Sequence, residues 1–140
     1  MNQLPKWYLP VAIAALLWNL MGCAAFMSDV LLTAEDVAKM SADQQALYAS
    51  RPGWAVAATA VAVWGGAIGS LGLILRRRWA LPLLSASLIG LVAQDVAMFV
   101  LTDVLKVYGS AVLGLQGLVL AIAVALLWFA RMANAKGWLR

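Results

Sequence analysis

The sequence predicts an all-α membrane protein with four transmembrane helices, and three observations lead to that class. Hydrophobic residues make up 65% of the 140 residues, charged residues only 11%, and the mean hydropathy is +0.91. A soluble domain carries about 25% charged residues, so this chain lacks the polar side chains to cover itself in water. Four apolar stretches are each long enough to cross about 30 Å of hydrocarbon. They must be helical there, because an unpaired backbone amide in lipid costs several kcal/mol.

The four predicted spans cover residues 8–27, 54–75, 80–101 and 110–130. Together they fill one transmembrane domain over residues 1–140 and leave no room for a separate soluble domain. The second and third spans are joined only by the stretch RRRWALP. Because this link is so short, we expect these two helices to be antiparallel neighbours.

The basic residues predict the orientation of the spans. Cytoplasmic loops of membrane proteins carry an excess of Lys and Arg. Seven of the ten basic residues fall on the side of the two termini and of the second turn: Lys6, Arg76, Arg77, Arg78, Arg131, Lys136 and Arg140. The sequence therefore predicts that both termini are cytoplasmic. Aromatic residues near the span ends, Trp7, Tyr8, Trp54, Trp79, Tyr108, Trp128 and Trp138, fit an interfacial belt.

The long link from Ser28 to Gly53 carries two signals for the start of a helix. Thr33 with Asp36, and Ser41 with Gln44, each have the spacing of a capping box. We expect one or two short helices on the extracytoplasmic face, the second over residues 42–49.

Four polar residues inside the spans form the candidate substrate-binding site: Asn19, Gln94, Asp95 and Gln116. At about 1.5 Å per residue, Asn19 lies about 17 Å from the cytoplasmic end of its span and Gln94 and Asp95 about 20–24 Å. Gln116 lies about 9 Å from the outer end of span four, at a similar depth. The four side chains can meet in the outer half of the bundle. The alternative for the three amides is hydrogen bonding that holds helices together.

Asp95 is the only charged residue inside a predicted span. A carboxylate at membrane depth costs about 3 kcal/mol and normally faces a partner or a wet cavity. One interpretation is a buried carboxyl that takes part in proton coupling. The other is a carboxylate close enough to the outer surface to reach water or to pair with Lys106 or Arg51.

Small residues recur at helical spacing in two spans and predict close helix packing. The candidate packing residues are Gly65, Gly69 and Gly72 in span two and Gly114 and Gly117 in span four. We call each row of small residues a stripe. The stripes serve either packing within the chain or contact with a second subunit of a homo-oligomer.

The stretch WNLMGCAAF has the outline of a lipoprotein cleavage box ending at Cys23. However, the apolar run continues through Met27, where a lipoprotein would begin a polar tether. We therefore interpret Cys23 as a small, unmodified residue inside span one.

The chain resembles a family of small four-helix bacterial integral membrane proteins, mostly uncharacterised and sometimes labelled as sugar transporters. The resemblance is carried by WNLMG, ALYASRPGW, AVAVWGGAIGSLGLILRRRWALP, SLIGLVAQ and GWLR, in order along most of the chain. It implies a multi-pass protein of the inner membrane and places Asn19, Gly65, Gly66, Gly69 and Gln94 in the family pattern. Asp95 departs from that pattern, so a function shared by the family would not centre on it.

Two functions remain open on the sequence. The first is a small-solute transporter or channel subunit that acts as an oligomer; the substrate is not indicated. The second is a structural, accessory or lipid-binding protein with no transport activity. The chain has no histidine and only one cysteine, so we expect no metal, no cofactor and no enzyme activity. The positive charge lies at span edges, so we expect the lipid bilayer as partner and no nucleic acid.

Overall fold

The protein is described by a computed structural model that covers residues 4–140. Over these residues the chain is helical and contains no strand. The helices are α1 (Tyr8–Val30), α2 (Ala34–Ala38), α3 (Ala42–Ser50), α4 (Gly53–Ile74), α5 (Ala80–Leu101), α6 (Val104–Tyr108) and α7 (Ala111–Ala135). Helices α1, α4, α5 and α7 are long and apolar enough to span a membrane. The predicted fold class is confirmed.

The span boundaries agree closely with the prediction, except at the ends of two helices. Helix α1 continues to Val30 and α7 continues to Ala135. In α7 the extra turn packs inward, since Ala133 is fully buried. Hydropathy locates the apolar run, whereas a helix continues for as long as its backbone bonds and packing persist. Helix α6 was not predicted.

The antiparallel pair α4 and α5 forms the centre of the bundle. Helix α1 packs against α4 on one side, and α7 packs against α5 on the other. Glycines allow the central pair to come close: a Cβ added at Gly90 would lie 2.7 Å from the backbone oxygen of Ala58. The order of the long helices around the bundle is therefore α1, α4, α5, α7.

One end of the bundle, which we call the terminal end, holds the start of α1, the end of α7 and the α4–α5 turn. There Trp7, Tyr8, Phe129 and Trp138 form an aromatic cluster, with ring centroids 5.4–5.9 Å apart. The Tyr8 hydroxyl donates to the Leu73 carbonyl of α4 at 2.6 Å. Tyr8 and Trp138 are 1% and 6% exposed, so the prediction that both belong to an interfacial belt is wrong. They seal the end of the bundle instead.

The residues after α7 pair with the α4–α5 turn. The Arg140 amide donates to the Arg76 carbonyl at 2.8 Å, and the Arg78 amide donates to the Arg140 carbonyl at 2.9 Å. The Arg76 side chain adds a bond from Nε to the Trp138 carbonyl at 2.9 Å. Arg76 adopts φ 57°, a left-handed conformation that reverses the chain there. The segment 138–140 is thus fixed to the turn.

The opposite end, which we call the loop end, carries α2, α3 and α6. Both predicted capping boxes are present: Thr33 and Asp36 bond reciprocally at the start of α2, and Ser41 and Gln44 do so at the start of α3. The two bonds from Thr33 lower the pKa of the exposed Asp36 carboxyl below its usual value. Helix α3 contacts α6, so the loop end is partly covered.

Candidate functional site

A cavity of about 580 Å³ lies among the four long helices. All four contribute side chains to its wall, and α3 and α6 add Leu47, Val104 and Tyr108 at the loop end. Sites for small molecules typically measure about 300–1,000 Å³ and are mostly apolar with a few placed polar groups. The size and position of this cavity make it the candidate binding site of the chain.

Asn19 lines the cavity from α1. Its Nδ2 donates to the Ala15 carbonyl at 2.8 Å and to Ser70 Oγ at 3.3 Å, which ties α1 to α4. A Cβ added at Gly66 would lie 2.1 Å from Asn19 Oδ1. The side chain of Asn19 therefore occupies space that exists only because residue 66 is glycine.

Gln94 lines the cavity from α5, whereas its neighbour Asp95 does not. The two side chains contact each other, with Gln94 Nε2 donating to Asp95 Oδ1 at 3.2 Å. Of the alternatives left open for Asp95, pairing with Lys106 or Arg51 is not found, because those cations bond to other carboxylates. Asp95 therefore lies beside the site and reaches it only through Gln94.

Gln116 lines the cavity from α7. Its Oε1 is buried and has no hydrogen-bond partner among the residues described. Of the four polar residues that the sequence selected, Asn19, Gln94 and Gln116 thus share one cavity. They line it from three helices without bonding to one another.

The serine and threonine hydroxyl groups in the wall are occupied by bonds to the backbone. Ser87 Oγ donates to the Ala62 carbonyl at 2.5 Å, and Thr59 Oγ1 donates to the Ala55 carbonyl at 3.0 Å. Thr102 donates in the same way to the carbonyl one turn earlier. These side chains add little polarity to the interior of the cavity.

An ion pair lies at the loop end of the cavity. Arg51 Nη1 bonds to Asp29 Oδ2 at 2.6 Å, and the Arg51 guanidinium lies 4.6 Å from the centre of the Tyr48 ring. Both charged residues line the cavity. On the sequence, neither residue had a place in the predicted site, and Arg51 entered only as an alternative partner of Asp95. Their positions just past span one and just before span two could have indicated that they lie close together at one end of the cavity.

The five candidate packing glycines divide into two groups. A Cβ at Gly65 would lie 3.2 Å from a backbone oxygen of α5, and at Gly69 or Gly72 it would lie 2.8 Å from side chains in or next to α5. At Gly114 or Gly117 a Cβ would meet nothing within 4 Å. Packing within the described chain is thus the role of the α4 stripe and not of the α7 stripe. Contact of α7 with a second subunit stays a prediction.

Cys23 is buried inside α1, which runs through it without interruption. Its thiol donates to the Val63 carbonyl of α4 at 3.3 Å. Among residues 4–140, no three His, Cys, Asp or Glu side chains are grouped in a way that could hold a metal ion.

The four apolar helices define a multi-pass integral membrane protein. Comparison with models of protein families, with curated proteins and with solved structures gives no match for this chain. The family resemblance read from the sequence therefore stays a prediction.

Proposed function

We propose that the chain is a transporter or channel subunit for a small uncharged solute in the bacterial inner membrane. The observation that carries this proposal is the cavity, because Asn19, Gln94 and Gln116 line it from three different spans. The amides supply hydrogen bonds without charge. Among the described residues of the cavity wall, the charged ones are Arg51 and Asp29, and these two neutralise each other.

The transport proposal requires the aromatic cluster to move. The cluster closes the terminal end, so a solute in the cavity has no path past Tyr8 and Phe129 in this conformation. Opening of this end would complete a path across the bilayer.

A homo-oligomer is part of the proposal. Gly114 and Gly117 leave a shallow strip along α7 that no described residue fills. Strips of this kind let helices of neighbouring subunits approach closely in lipid. Both termini are proposed to lie in the cytoplasm, on the evidence of the basic residues alone.

The cavity does not favour catalysis, and we propose a non-enzymatic role. General acid–base catalysis needs titratable groups that are free to exchange a proton with the substrate. Among the described residues of the wall, the carboxylate of Asp29 is engaged by Arg51, and the other polar groups are amides, hydroxyls and the Tyr108 phenol at the loop end.

Uptake into proteoliposomes tests the transport proposal. Radiolabelled glycerol and glucose are the probes, and Asn19→Leu and Gln94→Leu are the variants. Asn134→Leu is the matched control, because Asn134 is a helical amide outside the cavity wall. We expect wild-type uptake above that of protein-free liposomes and a several-fold loss in the two cavity variants only. Uptake of both probes at the protein-free rate would reject transport of such solutes, and undiminished uptake in both variants would remove their proposed role.

A structural or accessory role is the second candidate, and one observation favours it. The amide groups of Asn19 and Gln94 already donate to partners within the chain. On this hypothesis Asn19→Leu lowers the thermal midpoint while leaving every ligand response unchanged. Stable co-purification of the wild-type chain with a larger membrane complex would also favour it over transport.

A further inference from the structure

The cavity is open on one side, between α1 and α7. These helices meet at the terminal end, where the Tyr8 and Phe129 rings stack at 5.4 Å. Farther along α1, Met21 lines the cavity and is nevertheless 65% exposed, and Ala25 is exposed as well. We call this opening the α1–α7 gap.

The α1–α7 gap faces the hydrocarbon of the bilayer and not water. The exposed surfaces of both helices are apolar along the spans, with Leu17 and Leu20 on α1 and Leu115 and Leu118 on α7 among the exposed side chains. A molecule that reaches the cavity through the gap must therefore first dissolve in the lipid.

Polarity changes along the length of the cavity. Arg51 and Gln116 lie in the half near the loop end, Gln116 being about 8 Å into α7 at 1.5 Å per residue. Leu126 lies about 22 Å into the same helix, and Leu84, near the start of α5, belongs to the same buried apolar cluster. Ser87, at similar depth, has its hydroxyl bonded to a backbone carbonyl. The half near the terminal end is therefore effectively apolar.

Two buried polar atoms of wall residues have no partner among the residues described. They are Gln116 Oε1, an acceptor, and Arg51 Nε, a donor. An unsatisfied buried polar atom costs about 1–3 kcal/mol, so a ligand that bonds to either would recover much of that. A hydroxyl group can donate to the first atom and accept from the second. Since Arg51 is already neutralised by Asp29, an ionised group would find no free countercharge here.

We propose that the cavity binds an uncharged, single-chain amphiphile with a hydroxyl-bearing head, of the monoacylglycerol type. It arrives from the bilayer through the α1–α7 gap. Its head bonds to the side chains of Gln116 and Arg51 near the loop end, and its chain lies towards Leu84 and Leu126. The inference rests on the proposed use of the cavity as a binding site and not on transport.

The half of the cavity near the terminal end favours an alkyl chain over a free sugar. Hydroxyl groups of a sugar placed there would face apolar wall, because the Ser87 hydroxyl is already bonded to a backbone carbonyl. Each hydroxyl that is buried without a partner costs about 1–3 kcal/mol. A monoacylglycerol instead matches a few polar groups at one end and apolar wall at the other.

The test uses the full chain in phosphatidylcholine nanodiscs with a monoacylglycerol that carries a diazirine at the end of its chain. Illumination crosslinks the bound probe, and mass spectrometry locates the site. We expect saturable labelling near Leu84 or Leu126 that unlabelled monoolein displaces, and weaker labelling by the corresponding ionised fatty acid. Labelling that is not saturable, or that maps only to the outer faces of the bundle, would overturn the proposal.

Two pairs of variants test the head contact and the route of access. Gln116→Leu should weaken the apparent affinity about threefold to tenfold, the loss expected for one hydrogen bond, while Asn134→Leu leaves it unchanged. Met21→Trp should slow labelling by narrowing the α1–α7 gap. Met27→Trp, at an exposed position on the same helix outside the wall, should not. Wild-type labelling in both Gln116→Leu and Met21→Trp would overturn the proposal, and since Met21 is a surface residue, that variant remains informative if Gln116→Leu misfolds.

Failure of this inference can be told apart from failure of the proposed function. Saturable labelling without glycerol or glucose uptake would reject transport of those solutes and support the lipid ligand. Uptake without saturable labelling would support transport and overturn the lipid ligand.

Discussion

Replacement of Gly90 by alanine should separate the two central helices. A Cβ at this position would lie 2.7 Å from the Ala58 oxygen and 3.1 Å from the Ala62 nitrogen. Cβ atoms essentially never approach another heavy atom within 3.0 Å. Both neighbours are backbone atoms of α4, so neither can rotate away. The helices must move apart to admit one methyl group.

The expected cost follows from the packing that this movement disturbs. Overpacking a close interface costs about 1–3 kcal/mol. Alanine recovers up to about 1 kcal/mol of helix propensity over glycine. We expect a net loss of stability of about 2 kcal/mol, which is in the upper part of the range left when this gain is subtracted from the cost. The upper part applies because the Ser87–Ala62 hydrogen bond of 2.5 Å crosses the same interface and would lengthen.

Unfolding by added sodium dodecyl sulfate in mixed micelles, followed by tryptophan fluorescence and circular dichroism, measures this loss. Gly22→Ala is the matched control, since a Cβ there would lie at an ordinary 3.4 Å from Val63 Cγ1. We expect Gly90→Ala to unfold at clearly lower detergent fraction than both the wild type and Gly22→Ala. Equal stability of the two alanine variants would refute the close approach of α4 and α5 at this point.

Three further predictions concern the site and its two ends. Tyr8→Phe should lower the free energy of unfolding by about 1 kcal/mol in the same titration, because it removes a buried hydrogen bond to α4. Gly66→Ala should displace the Asn19 side chain, whose Oδ1 would lie 2.1 Å from the new Cβ, and should reduce uptake as Asn19→Leu does. Normal transport by Gly66→Ala together with lost transport by Asn19→Leu would show that the position of the Asn19 side chain does not depend on the space left by Gly66. In a double-mutant cycle, Arg51→Gln and Asp29→Asn should show a coupling below about 1 kcal/mol that shrinks with added salt, because the side chains are 32% and 35% exposed. A coupling independent of salt would contradict that.

The long helices could be predicted because lipid leaves the backbone few choices. An apolar run that crosses hydrocarbon must be helical, so hydropathy alone located α4 and α5 to within one residue. The capping boxes at Thr33 and Ser41 could also be recognised in the sequence, because each depends on residues only three positions apart. Helix α6 has five residues and no side-chain cap, so neither signal was present.

The site could be predicted only in part. The depth of a residue along its span can be counted from the sequence, whereas the direction in which its side chain points cannot. Counting residues placed Asn19, Gln94 and Gln116 at a common level, and all three line the cavity. Asp95 lies at the same level, but successive residues of a helix point in directions about 100° apart. Its side chain therefore does not line the cavity as that of Gln94 does. The partner of Arg51 could not be predicted either: Asp29 and Asp95 both lie in the halves of their helices near the loop end, and only the packed structure decides between them.

The pairing of residues 138–140 with the α4–α5 turn has a consequence for how the protein is made. Arg76 and Trp138 are 62 residues apart in the chain. At synthesis rates of about 5–20 residues per second, the second emerges roughly 3–12 seconds after the first. Throughout that interval Tyr8 lacks Trp138, and for most of it Tyr8 lacks Phe129 as well. The terminal end of the cavity therefore cannot close until α7 and the residues just after it have been synthesised.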